Sequence, residues 1–353
     1  MKKKLFLIFV LTLVIFLTGC GKENKEKIRN NFINDTENLK GYYMEGTLSI
    51  TNNDDTYNYD VKVGYKKDDN FKVELVNKAN NYEQIILRNS DGVYIVNPSL
   101  NKSFKFQSEW PYNNSQSYLL HSISSDLKKD NEYEFEQKDN NYIFTTKVTY
   151  PNNPNLVKEK ITLDKNLNLK EVIVMDKENI PYIIFTVTSL DKKAIFSDNY
   201  FLLDAISKGI NEENKIENDS NNSSTTLKID EALFPLYLPE NTSLKNREPP
   251  KIIINNNRET IKTDIGERVI MTFAGDNPFI LVQETVARED EFTTIPTSGS
   301  PYLLVDTVGA LTSSSYTWIS NGVEYYIVSD VMSQNELLEV AKSINVVSTI
   351  NEK

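Results

Sequence analysis

The sequence has very little of the chemistry that most catalytic and metal sites require. Its 353 residues include one cysteine, Cys20, and one histidine, His121. A zinc site normally uses three or four Cys, His or carboxylate ligands, and a serine or cysteine nucleophile normally needs a base such as histidine. We therefore predict no metal, no cofactor and no catalytic centre, with a hydrolase as the weakest alternative. His121 is expected to be structural or exposed.

Short catalytic motifs are also missing. The chain has no Gly-x-Ser-x-Gly, His-Glu-x-x-His or phosphate-loop pattern. The run Asp164-x-Asn166-x-Asn168 is like the start of a calcium loop. However, Leu169 stands where the loop needs glycine, and Met175 stands where it needs glutamate. A hairpin turn is the prediction for this segment.

Positive charge is scarce relative to negative charge. The chain has 39 Lys and Arg against 50 Asp and Glu, a net charge of -11. With no basic stripe to neutralise phosphates, it is not expected to bind nucleic acid. The same acidity argues against electrostatic attachment to anionic lipid headgroups. Hydrophobic residues make up 39%, which is typical of a globular protein.

A long apolar run occurs only at the amino terminus. Basic residues at 2–4 precede an apolar stretch from Leu5 to Leu17, which ends in Thr18-Gly19-Cys20. The stretch is shorter than the roughly 20 residues that a membrane-spanning helix needs. Its basic flank and small-residue exit are typical of a cleaved secretion signal, here residues 1–19. In the simplest alternative, the signal is an ordinary one and Cys20 is incidental.

The sequence Leu17-Thr18-Gly19-Cys20 resembles the lipobox of bacterial lipoproteins. That resemblance implies cleavage after Gly19 and attachment of a diacylglycerol to the thiol of Cys20. Acyl chains such as palmitate would then anchor the protein, because each buried methylene contributes about 0.8 kcal/mol. The expected location is the extracytoplasmic face of the cell membrane.

After a charged tether at 20–27, the pattern predicts one helix and then a run of antiparallel strands. The helix spans about Ile28 to Lys40, and the clearest half-buried strand alternates from Tyr57 to Tyr65. A second helix is predicted at Ser117–Lys128, and no strand–helix–strand repeat is present. These elements form a predicted first domain at 28–210.

A polar segment at 211–226 is rich in Asn, Glu, Asp, Ser and Lys and is predicted to be a flexible linker. A small α+β domain of unknown function is predicted at 227–350. Its last helix has the strongest start signal in the chain, because Ser333 and Glu336 have capping-box spacing.

The hairpin from Asp91 to Lys102, with Asp91-Gly92-Val93-Tyr94 and Asn97-Pro98, is similar to one in the LolA/LolB-like lipoprotein carriers. The layout behind a lipobox is most similar to sporulation and germination lipoproteins of spore-forming Gram-positive bacteria. The resemblance implies a mainly β (α+β) fold, in which a curved antiparallel half-barrel sheet is plugged by helices. A small α+β domain follows it.

The same resemblance implies two functions. In the first, the protein is a non-enzymatic adaptor that docks a cell-wall amidase or another envelope protein in sporulation or germination. In the alternative, it is a lipid- or lipoprotein-binding carrier that uses the apolar cavity of the half-barrel. A permanently lipidated chain could not shuttle across an aqueous gap, which disfavours long-range transport.

Five residues are the candidates for binding. Tyr59, Val61 and Val63 lie on one face of the clearest strand, so they line either an acyl-chain cavity or an ordinary core. Tyr94 belongs to the hairpin that carries the family resemblance. Trp110 could anchor a partner, since Trp is enriched at binding hot spots, or it could cap the rim of the half-barrel.

Overall fold

A computed structural model describes residues 24–52, 55–112, 115–150, 153–217, 229, 232–256, 263–305 and 307–344. Over these residues the protein is mainly β, and the predicted fold class is confirmed. We refer to residues 24–217 as the first half and 229–344 as the second half. In the described part of the chain, no helix combines the length and apolarity that crossing a membrane requires.

The first half is built on a long antiparallel meander. Its strands are β1 (Gly41–Asn52), β2 (Asp55–Lys66), β3 (Asn70–Asn77), β4 (Glu83–Asn89), β5 (Gly92–Asn97), β6 (Lys102–Phe106), β7 (Glu134–Lys138), β8 (Asn141–Lys147), β9 (Lys158–Leu163), β10 (Leu169–Met175) and β11 (Pro181–Asp191). In space they run β6-β5-β4-β3-β2-β1-β11-β10-β9-β8-β7. Nearly all neighbours are joined by short turns, except β1 and β11, which pair within the sheet although they are far apart in the chain.

The period-two pattern of β2 gives the sheet a buried inner face. Tyr59, Val61 and Val63 are buried, while the residues between them are exposed. Next to β2, strand β1 contains a bulge between Glu45 and Gly46, a device that bends a strand. Only glycine fits at position 46, because a Cβ atom would lie 2.7 Å from the ring of Phe185.

Two helices cover the inner face. They are α1 (Lys25–Glu37) and α2 (Leu120–Lys129), each near its predicted position. Apolar side chains such as Phe32 and Ile123 enter the same buried cluster as the inner face of the sheet. The guanidinium of Arg29 donates to the backbone oxygen of Leu127 from Nε at 3.2 Å and from Nη2 at 2.9 Å, which ties the helices together.

The opposite face of the sheet carries a separate apolar cluster. Helix α3 (Leu203–Glu217) contributes Ile210, which packs with Leu87, Tyr94 and Val96. The prediction of a flexible linker at 211–226 is therefore wrong for residues 211–217, which are helical. Residues 218–226 lie outside the described part. Composition was misleading because this helix is amphipathic and gains its stability from packing on the sheet.

The second half contributes nine described strands, and all of them except β16 form a second sheet. Its strands are β12 (Thr242–Arg247), β13 (Lys251–Asn256), β14 (Thr263–Gly275), β15 (Phe279–Thr285), β16 (Thr293–Thr297), β17 (Ser300–Leu303), β18 (Val308–Leu311), β19 (Ser315–Ser320) and β20 (Val323–Val328). Within the described residues the order is β12-β14-β15-β20-β19-β18-β17, with β13 also paired to β14. Helix α4 (Gln334–Lys342) follows, and the predicted Ser333–Glu336 capping box is confirmed.

Strand β16 leaves the second half and joins the first sheet. It pairs with β6 in parallel, from Thr293 opposite Lys102 to Thr297 opposite Phe106. This pairing departs from the purely antiparallel expectation. It arises because β6 would otherwise present unpaired backbone groups at a sheet edge. A single cluster of buried apolar side chains also includes members of both halves.

Candidate functional site

A cavity of about 250 Å³ lies where the two halves meet. The first half supplies lining from β1, β4, β11, the segment before α2 and the segment between β8 and β9, while the second half supplies the segment from β17 to β18. The apolar lining comprises Leu48, Ile50, Ile86, Trp110, Tyr118, Tyr150, Leu156, Tyr182, Ile183, Pro301, Tyr302, Leu303, Leu304, Val305 and Val308. Polar residues such as Asn52, Gln116 and Asn153 also line it, as do Glu339 and Lys342 of α4, so the cavity has a mixed apolar and polar lining.

The inner-face candidates belong to the core. Tyr59, Val61 and Val63 are almost completely buried, and the hydroxyl of Tyr59 donates to the backbone oxygen of Val305. The second half thus contacts the inner face of the first sheet at Tyr59. This placement favours the packed-core interpretation of the strand pattern.

The other two described candidates, Tyr94 and Trp110, lie in different surroundings. Tyr94 lies on the opposite face of the sheet, beneath α3, with the ammonium of Lys105 5.4 Å from its ring centre. Trp110 lines the cavity but is only 1% exposed, which favours a rim-capping role over a partner anchor. The exposed aromatic residue of that loop is Tyr112. Gly19 and Cys20 lie outside the described residues, so cleavage and lipidation remain predictions.

Hydrogen bonds between buried polar groups join the halves next to the cavity. The amide nitrogen of Gln84 donates to Asn97 Oδ1 at 3.1 Å and to the backbone oxygen of Val308 at 3.0 Å. Its amide oxygen accepts from the hydroxyl of Thr307 at 3.0 Å and from the backbone N–H of Val308. Three of these four hydrogen bonds cross the junction, and the fourth, to Asn97, lies within the first half, so the Gln84 side chain is fully satisfied and holds the halves together.

A buried carboxyl group lies on the inner face without a hydrogen-bond partner among the described residues. Glu159 on β9 is completely buried, and neither of its side-chain oxygens is paired. Burial raises the pKa of Glu159 well above its usual value, and the charge of Asp126 raises it further. Glu159 follows the same alternation as Ile161 and Leu163, which is the sequence signal that could have predicted its buried position.

The single histidine packs within an aromatic cluster. The His121 ring is 4.1 Å from that of Tyr65 and 6.0 Å from those of Tyr42 and Phe71, measured between ring centres. Burial lowers the pKa of His121 to about 4, although Asp69 and Glu37 act in the opposite direction. At neutral pH the ring is uncharged and contributes to packing.

The predicted turn at 164 is present. Asp164 Oδ1 accepts from the backbone N–H groups of Asn166 and Asn168, both at 2.8 Å, so this carboxylate closes a turn. Across the described residues, no group of three or more Cys, His, Asp or Glu is placed to hold a metal.

One face of the second sheet carries apolar side chains that no described segment fully covers. Two cross-strand rows run over it, Ile270–Val282–Tyr326 and Ile280–Val328. Ile280 is 40% exposed and Tyr326 is 37% exposed, and the other three side chains are partly exposed. We call these five residues the open face. The continuous apolar run Phe279–Val282 is the sequence signal for a strand that is apolar on both faces.

Taken together, fold and site define a mainly β protein whose two halves share a core and whose inner face is filled by its own side chains. Residues 1–201 match the profile of the "Sporulation protein YdcC-like" family, and the chain belongs to that family. It is 30% identical to sporulation protein YdcC of Bacillus subtilis strain 168 over 347 residues, which is 97% of each chain. The predicted resemblance to sporulation proteins of spore-forming bacteria is thereby confirmed at the level of the family.

Solved structures also align with the chain at low scores. The MucA/MucB complex of Pseudomonas aeruginosa aligns with 12% identity and a TM-score of 0.31, over 90% of this chain and 98% of that one. The GerS lipoprotein complex with the CwlD amidase from Clostridioides difficile gives 17% and 0.28, over 50% and 98%. A LolA superfamily protein from Nitrosomonas europaea gives 11% and 0.28, also over 50% and 98%.

Proposed function

We propose that the protein is a non-enzymatic, lipid-anchored adaptor on the extracytoplasmic face of the cell membrane. It docks an envelope or cell-wall protein during sporulation or germination. Membership of a sporulation protein family supports the context. The signal and lipobox resemblance ending at Cys20 support the location. A cell-wall amidase is the first partner to test, because the sequence resemblance implies one.

The adaptor proposal rests on the different exposure of two apolar surfaces. The inner face of the first sheet, where a carrier would hold cargo, is filled by residues such as Val61 and Val63. The open face presents Ile280, Tyr326 and their neighbours to solvent. Contiguous exposed apolar surface on a folded protein commonly marks an interaction site. A protein partner is therefore expected to bind on the second sheet.

Site-specific photo-crosslinking tests this docking surface. A photoreactive amino acid is placed at Tyr326 or Ile280 in the full chain and activated in sporulating cells. We expect one envelope protein to be crosslinked from both positions. The matched control is Ile195, which is 97% exposed but lies in the first half. No crosslinked protein, or the same proteins from position 195, would contradict docking on the open face.

The cavity between the halves favours a second function, the binding of an apolar ligand. Its lining comes from both halves and includes apolar side chains such as Leu48, Ile86 and Leu304, together with polar ones. Its volume of about 250 Å³ is, however, below the ~300–1,000 Å³ of typical ligand pockets. On the inner face, the hydroxyl of Tyr59 is already hydrogen-bonded to the backbone oxygen of Val305. The small volume and this contact favour the adaptor function over the carrier function.

A further inference from the structure

A wide groove on the outside of the helical cover is a separate feature from the cavity. It runs between the end of α1, helix α2, the loop containing Tyr112 and the end of β8, with a volume of about 1010 Å³. Hydroxyl side chains line much of it, among them Thr36, Ser122, Ser125 and Thr149. Such side chains donate and accept hydrogen bonds and suit a ligand that does the same. We call this feature the hydroxyl groove.

An aromatic ring is fixed at one side of the hydroxyl groove. Tyr112 is 53% exposed, yet its hydroxyl donates to Asp69 Oδ1 at 2.6 Å. The guanidinium of Arg88 lies 5.4 Å from its ring centre, and the ring of Phe71 meets it edge-on at 6.5 Å. An exposed ring held in this way loses little conformational freedom when a ligand packs on it.

The charges along the hydroxyl groove are mostly neutralised in pairs. Lys128 Nζ lies 2.6 Å from Glu37, Lys147 Nζ lies 2.5 Å from Glu132, and Lys129 Nζ lies 4.0 Å from Asp126. Because each of these lysines is paired with a carboxylate, the groove has no excess positive charge that would attract a polyphosphate. A neutral polar ligand therefore matches it better than an anionic polymer.

Accessible hydroxyl groups line the hydroxyl groove on two sides. Ser122 and Ser125 on α2 are partly exposed, and Thr149 beyond the end of β8 is exposed. Each hydroxyl can donate and accept hydrogen bonds, so the three side chains offer polar contacts that a ligand in the groove can reach.

We propose that the hydroxyl groove binds a neutral glycan of the N-acetylated amino-sugar class. The C–H face of a sugar ring packs on Tyr112, and hydroxyl and amide groups of the sugar reach the hydroxyls of Ser122, Ser125 and Thr149. This inference goes beyond the adaptor function and concerns a different surface from the open face. Loss of glycan binding and loss of partner crosslinking are therefore separate outcomes.

Titration with soluble N-acetylglucosamine tetramer tests the proposal. With the full chain in mild detergent, isothermal titration calorimetry should show saturable binding. Tyr112→Ala should raise the dissociation constant by about tenfold or more, since truncation of a central aromatic contact commonly has that effect. Tyr112→Phe keeps the ring and should stay within a few-fold of wild type. The control Tyr237→Ala, at a tyrosine 45% exposed in the second half, should bind as wild type does.

A second variant, Ser125→Arg, keeps the test informative if Tyr112→Ala does not fold. Ser125→Arg fills the hydroxyl groove from a partly exposed position on α2 and should also abolish binding. The absence of saturable binding by the wild type at millimolar tetramer would overturn the proposal. So would equal affinities of Tyr112→Ala, Ser125→Arg and the Tyr237→Ala control, or stronger binding of a polyglycerol phosphate than of the tetramer.

Discussion

Replacing Glu159 with glutamine should remove a loss of stability that the wild-type protein undergoes as pH rises. The buried carboxyl has its pKa raised by desolvation, so the folded state holds its proton more tightly than the unfolded state does. Above the ordinary value of 4.5, the unfolded chain releases this proton while the folded chain keeps it. The free energy of unfolding then falls by up to about 1.4 kcal/mol per pH unit, until the raised pKa is reached.

Titration of His121 changes the free energy of unfolding in the opposite direction. The pH dependence that is due to Glu159 must therefore be separated from that of His121. Its pKa of about 4 in the folded protein lies below the ordinary 6.5, so its contribution to stability is lost as pH falls through that window. Subtracting the unfolding free energy of wild type from that of Glu159→Gln cancels the histidine effect. The difference, measured by urea denaturation from about pH 5 to about pH 8, should grow in favour of the variant. A difference that does not change with pH would mean that Glu159 is solvated or paired.

Replacing Gln84 with leucine should destabilise the protein and uncouple its halves. The side chain makes four buried hydrogen bonds, and leucine would leave the N–H and C=O of Val308 and the amide of Asn97 without these partners. Leaving buried groups unpaired costs roughly 1–3 kcal/mol each, so a total loss of about 3 kcal/mol is expected after partial relaxation. Denaturant unfolding measures the change.

The two tryptophans give each half its own probe. Trp110 lies in the first half and Trp318 in the second, so Trp110→Phe and Trp318→Phe backgrounds report separately. The two transitions should coincide in the parent and separate when Gln84→Leu is added. The control is Asn80→Ala, because Asn80 contacts Asn321 across the halves at 3.3 Å but is exposed. It should cost about 0.5 kcal/mol or less. Equal effects of the two substitutions would show that the junction does not depend on the Gln84 hydrogen bonds.

The local sequence was sufficient to predict two kinds of element. These are strands with regular alternation of apolar and polar residues, and helices that begin with a capping signal. The alternating residues of β2 and the capping box before α4 were both predicted and found. Strand β16 was missed because its sequence, Thr-Thr-Ile-Pro-Thr, is short, exposed and contains proline. This segment forms a strand because it pairs with the edge strand β6. The sequence of β16 alone contains no signal for that pairing.

The candidate site was predicted in part, because it depends on contacts between distant segments. Alternation placed Tyr59, Val61 and Val63 on one face, but it could not tell that the hydroxyl of Tyr59 would donate to Val305. Tyr94 was a candidate because it lies in the hairpin that carries the resemblance, and this gave no indication that it faces the other side of the sheet beneath α3. The hydroxyl groove combines residues far apart in sequence, so it had no sequence signal.

Native mass spectrometry of the full-length protein, released from membranes of sporulating cells in mild detergent, tests the adaptor proposal most directly. The account predicts a mass that equals the lipidated chain plus one envelope protein, without additional non-covalent lipid. It further predicts that substitution of Ile280 and Tyr326 by aspartate removes the protein partner, whereas substitution of Ile195 by aspartate does not. A chain that carries non-covalent lipid and no protein partner would contradict the adaptor function and favour the carrier.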